Sequence, residues 1–186
     1  MTDHRTDASL VAFAERAGAL GVRVERVPDV AAAATVIHSE RLQDAGDVVL
    51  TGELVRTIPA LSDILGRDVT VRTATSPAAV RDAPLAVTLA RAAFAETGSV
   101  LLAEPDLADR SAGMLSRTLV VLIRTADLLP GLDDAAAMLR RLATAPGAAY
   151  ATIMTGPSRT ADIERVLTVG VQGPGRVVVV FIDRFD

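Results

Sequence analysis

Two short segments hold the side chains best placed to do chemistry in this chain. The first is AETGS, residues 95–99, where Glu96 stands just before a Thr-Gly-Ser turn that enters a strand pattern. A carboxylate there can act as nucleophile or general base once it is partly buried. Gly98 permits a positive φ, and the hydroxyls of Thr97 and Ser99 can orient a bound carboxylate. The same spacing also describes an exposed acid ahead of an ordinary turn. The second segment is YATIMTGPSRTADIE, residues 150–164, in which an apolar strand pattern runs into a Gly-Pro turn and continues in a helical pattern with acidic residues. In open α/β sheets, ligands sit beyond the carboxyl ends of the strands, where helix N-termini present unpaired N–H groups. Gly156, Ser158, Arg159, Thr160 and Asp162 are the binding candidates here, with the Arg159 fork suited to a substrate carboxylate. Helical spacing puts Ile163, Val166, Leu167 and Gly170 on one stripe against the sheet, and Arg159 and Thr160 continue it toward the crevice. Asp162 and Glu164 fall on opposite flanks, roughly 100° either side of Ile163, so they form no facing carboxylate pair. Simple capping by Ser158 or Thr160, with Asp162 and Glu164 favoured by the helix dipole at roughly 0.3–1 kcal/mol each, accounts for the same residues without a ligand. TGELVR, residues 51–56, is a third candidate rim loop.

Composition narrows the chemistry further. At 186 residues, half of them apolar, the chain can bury a substantial core and has the length of a single domain spanning 1–186. Residues 1–45 are expected to form an N-terminal helical part packed on that core. The net charge of −4 carries no long run of one sign, and aromatics make up 3%. Nucleic acid therefore finds neither a basic footprint nor stacking platforms. The absence of Cys excludes disulfides and thiolate ligation of zinc or an iron-sulfur cluster within this chain. Every basic residue is Arg, so Schiff-base chemistry, a Lys general base and a P-loop lysine are excluded as well. His4 lies in a polar leader and His38 in a helical pattern, a poor start for a metal site. With no dinucleotide fingerprint either, the expectation is a chain without cluster, flavin or tightly held metal. The polar N-terminus and the lack of any apolar run near ~20 residues give no signal peptide or membrane span, and the expected location is the cytoplasm.

Helix-like and strand-like patterns alternate along the chain, which is what must position these loops. Residues 7–20 read as an amphipathic helix, 22–27 as a strand, and Asp29 caps an Ala-rich helix to about residue 42. Strands follow at 47–52 and 68–73. Residues 77–95 are mostly helical in pattern, with Pro84 as a break. Further strands are expected at 99–103, 119–123, 150–155 and 176–182, and a helix at 132–143. Apolar strands separated by helical segments imply an α/β protein, a mixed, mostly parallel sheet with helices on each side.

AETGS at 95–99, TGPSRTADIE at 155–164 and GVQGPGRVVVVFID at 170–183 together resemble the signature of the LUD domain, specifically its lactate-utilisation protein C (LutC) type. The resemblance covers about the C-terminal half of the chain. It implies a three-layer fold similar to the NagB/RpiA/CoA-transferase group. It also implies a cytoplasmic protein required for oxidising L-lactate to pyruvate together with iron-sulfur oxidoreductase partners, which carry the clusters. One departure stands out: members commonly read GVHGP where this chain has GVQGP, placing Gln172 at a His position. If that His is an acid or base, this chain lacks it; if it only donates a hydrogen bond, Gln can substitute. Two functions stay open. One is an accessory subunit with a small-carboxylate site at the sheet edge. The other is a stand-alone enzyme, an isomerase or acyl/CoA transferase, that uses Glu96.

Overall fold

A computed structural model describes residues 4–43, 46–81, 83–144, 150–160, 168–170 and 173–185. In chain order the elements are α1 His4–Gly18, β1 Arg23–Val27, α2 Val30–Arg41, β2 Val48–Leu50, α3 Gly52–Thr57, α4 Pro59–Leu65, β3 Val71–Thr73, α5 Pro77–Val80, β4 Leu85–Leu89, β5 Ala92–Phe94 and β6 Ser99–Leu102. Then come α6 Leu107–Leu115, β7 Thr118–Arg124, β8 Leu128–Leu129, α7 Ala135–Thr144, β9 Thr152–Met154, β10 Arg159–Thr160, β11 Thr168–Val169 and β12 Arg176–Ile182.

A six-stranded sheet in the order β1-β12-β7-β4-β2-β3 forms the middle layer, and each of its pairings is parallel. β7 and β12, in the middle of the sheet, carry unbroken apolar runs because both of their faces are covered. Alternate residues along them feed two cores. Ala86, Leu119, Val121, Val179 and Phe181 pack with Phe13 and Ala17 of α1 and Ala108 and Ala112 of α6. Leu85, Val87, Val120, Leu122 and Val180 pack on the other side with Ile37 of α2, Leu54 of α3 and Leu61 of α4. The result is a helix–sheet–helix sandwich. The Phe13 and Phe181 rings meet edge to face, 5.0 Å apart at 85°.

The expected mixture of strand directions is divided among three sheets. A four-stranded sheet in the order β8-β5-β6-β9 carries two antiparallel pairs beside the parallel pair β5–β8, and β10 and β11 form a third, antiparallel sheet of two strands. Ala93, Ala95, Val100 and Leu102 of the four-stranded sheet join the α1 side of the core, while Ala92, Phe94 and Leu101 pack against Ala135 and partly buried side chains of α7.

Two expected helices are corrected. Residues 77–95 are helical only over α5, and 85–89 instead form β4, buried at every position. The Ala-rich helical pattern loses there to burial on two faces of the sheet. Residues 158–170 do not begin as a helix: Arg159–Thr160 pair antiparallel with Thr168–Val169. Gly170, with φ +80, turns the chain, and its N–H donates to the Ser158 carbonyl at 2.9 Å, while Ser158 N–H donates to the Pro174 carbonyl at 3.0 Å. Helices α3, α4 and α6 lie where no helix is expected from the pattern.

The order of strands creates one break in winding direction. From β2 the chain moves outward to β3, whereas β4 lies on the other side of β2 and leads on to β7 and β12. Crevices beyond the carboxyl ends of strands at such a switch point are the usual ligand positions of open α/β sheets.

Candidate functional site

The AETGS segment is the tight turn joining β5 to β6. Gly98 N–H donates to the Phe94 carbonyl at 2.9 Å, and Gly98 has φ +67. An added Cβ would stand 2.5 Å from the Ala17 amide nitrogen, so the turn approaches α1 as only glycine allows. Glu96 is exposed. Its N–H donates to the Pro130 carbonyl at 3.0 Å, and its Oε2 accepts from Leu132 N–H at 3.3 Å, at the start of the 3₁₀ turn Leu132–Asp134. The same side chain borders a cleft of about 380 Å³ with Ala8, Ser9, Ala12, Arg16, Ala95 and Pro130. Thr97 Oγ1 is buried without a hydrogen-bond partner among the described residues. Ser99 Oγ lies 2.7 Å from Thr155 Oγ1, which ties the first candidate segment to the second across 56 residues. The β6–β9 pairing, with Val100 opposite Met154, brings them together.

Gly156, with φ +79, packs near the Leu20 and Val22 side chains, and the Arg159 guanidinium donates to the Leu20 carbonyl. Both candidate loops therefore rest on α1 and the turn after it. They touch different parts of it: residues 8–16 line the cleft at Glu96, and Leu20 receives Arg159. Among the described residues no hydrogen bond joins Glu96 to Ser158 or Arg159. For Thr160 only the backbone, in β10, is described, and Asp162, Glu164 and Gln172 lie outside the described residues.

A second polar cluster stands where β2 and β4 diverge, with the expected rim loop TGELVR on one side and, on the other, Thr88, Glu104 and Asp109, which the sequence does not single out. The N–H groups of Gly52 and Glu53 donate to Asp109 of α6 at 2.6 and 3.0 Å. Thr51 Oγ1, next to them, is buried with no hydrogen-bond partner among the described residues. Thr88, within β4, donates its hydroxyl to Glu104 Oε1 at 2.5 Å. Glu104 is 4% exposed. Burial is the main cause that pushes its carboxyl up to about 7, helped by the charges of Asp109 and Glu53; the Thr88 hydrogen bond and Arg110 act the other way. Arg91 closes the group by pairing with Glu53. The sequence signal is an acid directly after an apolar strand and before Pro105, in LLAEPD. Such an acid has to sit at a strand's carboxyl end, and TGELVR supplies the opposite side of the cluster.

Beside this cluster, Thr57, Leu89, Ala90, Arg91, Arg124, Asp127 and Phe185 line a cleft of about 360 Å³ at the carboxyl ends of β4 and β7. The Arg124 guanidinium lies over the Phe185 ring, 4.5 Å from its centre. Burial raises the Asp127 carboxyl, and Arg124 opposes that shift. Among the described residues no group of three or more potential ligands could hold a metal ion, and no helix is long and apolar enough to cross a membrane.

The family model described as the LUD domain matches residues 77–182, more than half of the chain. Lactate utilization protein C 1 of Bacillus mycoides is 30% identical over 103 residues, which cover 54% of this chain and 44% of that protein. Lactate utilization protein C of Shouchella clausii is 33% identical over 103 residues, with the same shares of 54% and 44%. The Bacillus pumilus protein of that name is 35% identical over 92 residues, 48% of this chain and 38% of its own length. The chain thus matches less than half the length of these relatives. Among solved structures, the crystal structure of a DUF162 family protein from Deinococcus radiodurans superposes with a TM-score of 0.68 at 19% identity, over 95% of this chain and 98% of that one. That likeness shows a shared fold.

Proposed function

Since the chain belongs to the LUD domain family, we propose that it is a lactate-utilisation protein of the C type, an accessory subunit in the oxidation of L-lactate to pyruvate. In this reading it works in the cytoplasm with iron-sulfur oxidoreductase partners, and it holds a small carboxylate at the carboxyl edge of its sheet. Electrons pass through the partners, because a chain without Cys offers no thiolate for a cluster.

The observation that carries the accessory role is the direction of the signature's polar groups. Glu96 accepts from Leu132 N–H, Arg159 donates to the Leu20 carbonyl, and Ser99 pairs with Thr155. These contacts brace the first loop against the 3₁₀ turn before α7, the second against the turn after α1, and the two against each other; in this reading the fixed rim they make is where the partners dock. Glu96→Gln keeps an oxygen that can accept from Leu132 N–H. In a strain lacking this protein, the variant is expected to restore growth on L-lactate as fully as the unaltered chain, at equal protein level.

A second reading has a specific observation in its favour. The Thr97 hydroxyl is buried without a partner among the described residues, and Glu96 borders a cleft large enough for a small molecule. A stand-alone isomerase or acyl/CoA transferase would use Glu96 as nucleophile or base, with Thr97, Gly98 and Ser99 of the same turn beside its substrate. Loss of growth with Glu96→Gln at normal protein level would favour it.

A further inference from the structure

The parallel pair β4–β7 ends in two cations. Leu89 lies opposite Leu122, and two residues further on stand two arginines, Arg91 just past the end of β4 and Arg124 as the last residue of β7. The Ala90 N–H donates to the Leu122 carbonyl at 2.8 Å, which holds the two strand ends together just below these side chains. Phe185, from the segment after β12, supports the Arg124 guanidinium by its ring face. A guanidinium resting on a ring keeps its five N–H donors for partners in other directions. Arg91 is oriented by Glu53, and its side chain remains 43% exposed.

We infer that this cleft binds a small monocarboxylate, with Arg124 as its main anchor and Arg91 as the second cation. The inference rests on the carboxylate-handling role proposed above and names the site for it. A planar carboxylate matches the guanidinium fork with two parallel hydrogen bonds. At about 360 Å³ the space stands at the low end of small-molecule pockets. The apolar floor of Leu89 and Ala90 suits a short carbon chain. Two acids, Glu53 and Asp127, flank the arginines, so the cleft disfavours a multiply charged phosphate. Asp127 is the specificity element: it lines the same cleft as Arg124 and, as an acid beside the bound carboxylate, penalises any second negative charge.

Calorimetry on the full chain with L-lactate, pyruvate and inorganic phosphate tests this site. One of the two carboxylates is expected to bind at least tenfold more tightly than phosphate, and Arg124→Gln to weaken it at least tenfold. Asp127→Asn removes a like charge and is expected to tighten binding of that carboxylate severalfold, which keeps the test valid if Arg124→Gln folds poorly. Unchanged affinity in folded Arg124→Gln, or weaker binding in Asp127→Asn, would overturn the site while leaving a carboxylate-binding role intact. Phosphate binding as tight as the better of the two carboxylates would overturn the ligand class. No carboxylate binding by the unaltered chain would overturn the inference, and growth on L-lactate would then judge the accessory role separately.

Discussion

Gly98→Ala is expected to destabilise the protein by roughly 2–5 kcal/mol, the sum of left-handed strain and overpacking. The residue has φ +67, where an L side chain meets its own backbone. The new Cβ would also stand 2.5 Å from the Ala17 nitrogen and 3.0 Å from its Cα, atoms of a helix that packs into the core. Neither atom is a flexible side-chain end, so the β5–β6 turn has to withdraw from α1, and the cleft at Glu96 opens with it. Gly18→Ala is the control: nothing stands within 4 Å of its added Cβ. That variant is expected to be neutral or slightly stabilising, by up to about 1 kcal/mol. Urea denaturation of both variants decides the matter. A loss below about 1 kcal/mol for Gly98→Ala would mean that the turn does not need its close approach to α1.

The second large effect is a pH dependence set by Glu104. Its folded pKa is raised from 4.5 to about 7, so between these values the folded protein binds more protons than the unfolded chain. Stability therefore falls as pH rises through that window. The contribution is fully present below the unfolded value and lost above about 7, and it amounts to roughly 3 kcal/mol over the whole window. Glu104→Gln keeps an acceptor for the Thr88 hydroxyl and removes the charge. The variant is expected to match the unaltered protein near pH 4 and to exceed its stability by roughly 1–3 kcal/mol at pH 8. Equal stability at pH 8 would show that water or a cation already satisfies the buried carboxylate.

Legibility in the sequence follows the physics of burial. TLVVLIR and RVVVVFI announce β7 and β12 because a strand covered on both faces has nothing polar to offer. Asp29 announces α2 because a capping carboxylate is a local device, and its side chain does accept from Ala32 N–H at 2.9 Å. LAVTL misleads because its alanine and leucine favour a helix, and only the neighbours β2 and β7 make it a strand. Arg159–Thr160 mislead for a related reason: their partner, Thr168–Val169, is set by a turn that local spacing does not reveal. The signature loops are visible as words, yet their hydrogen bonds to Leu132, Leu20 and Thr155 depend on chain crossings. Glu104 and Asp109 escape notice because each looks like an ordinary acid near a turn. Their meaning comes from Thr88 and from the N–H groups of Gly52 and Glu53, far away in sequence.

The accessory role is tested most directly by pyruvate formation from L-lactate with an artificial electron acceptor, assayed with this chain alone, with the iron-sulfur partner subunits alone, and with both. No turnover is expected from the chain alone, and with both present the rate is expected to exceed that of the partners alone by at least tenfold. Pyruvate formed by the chain alone, or an equal rate from the partners without it, would rule out an accessory role.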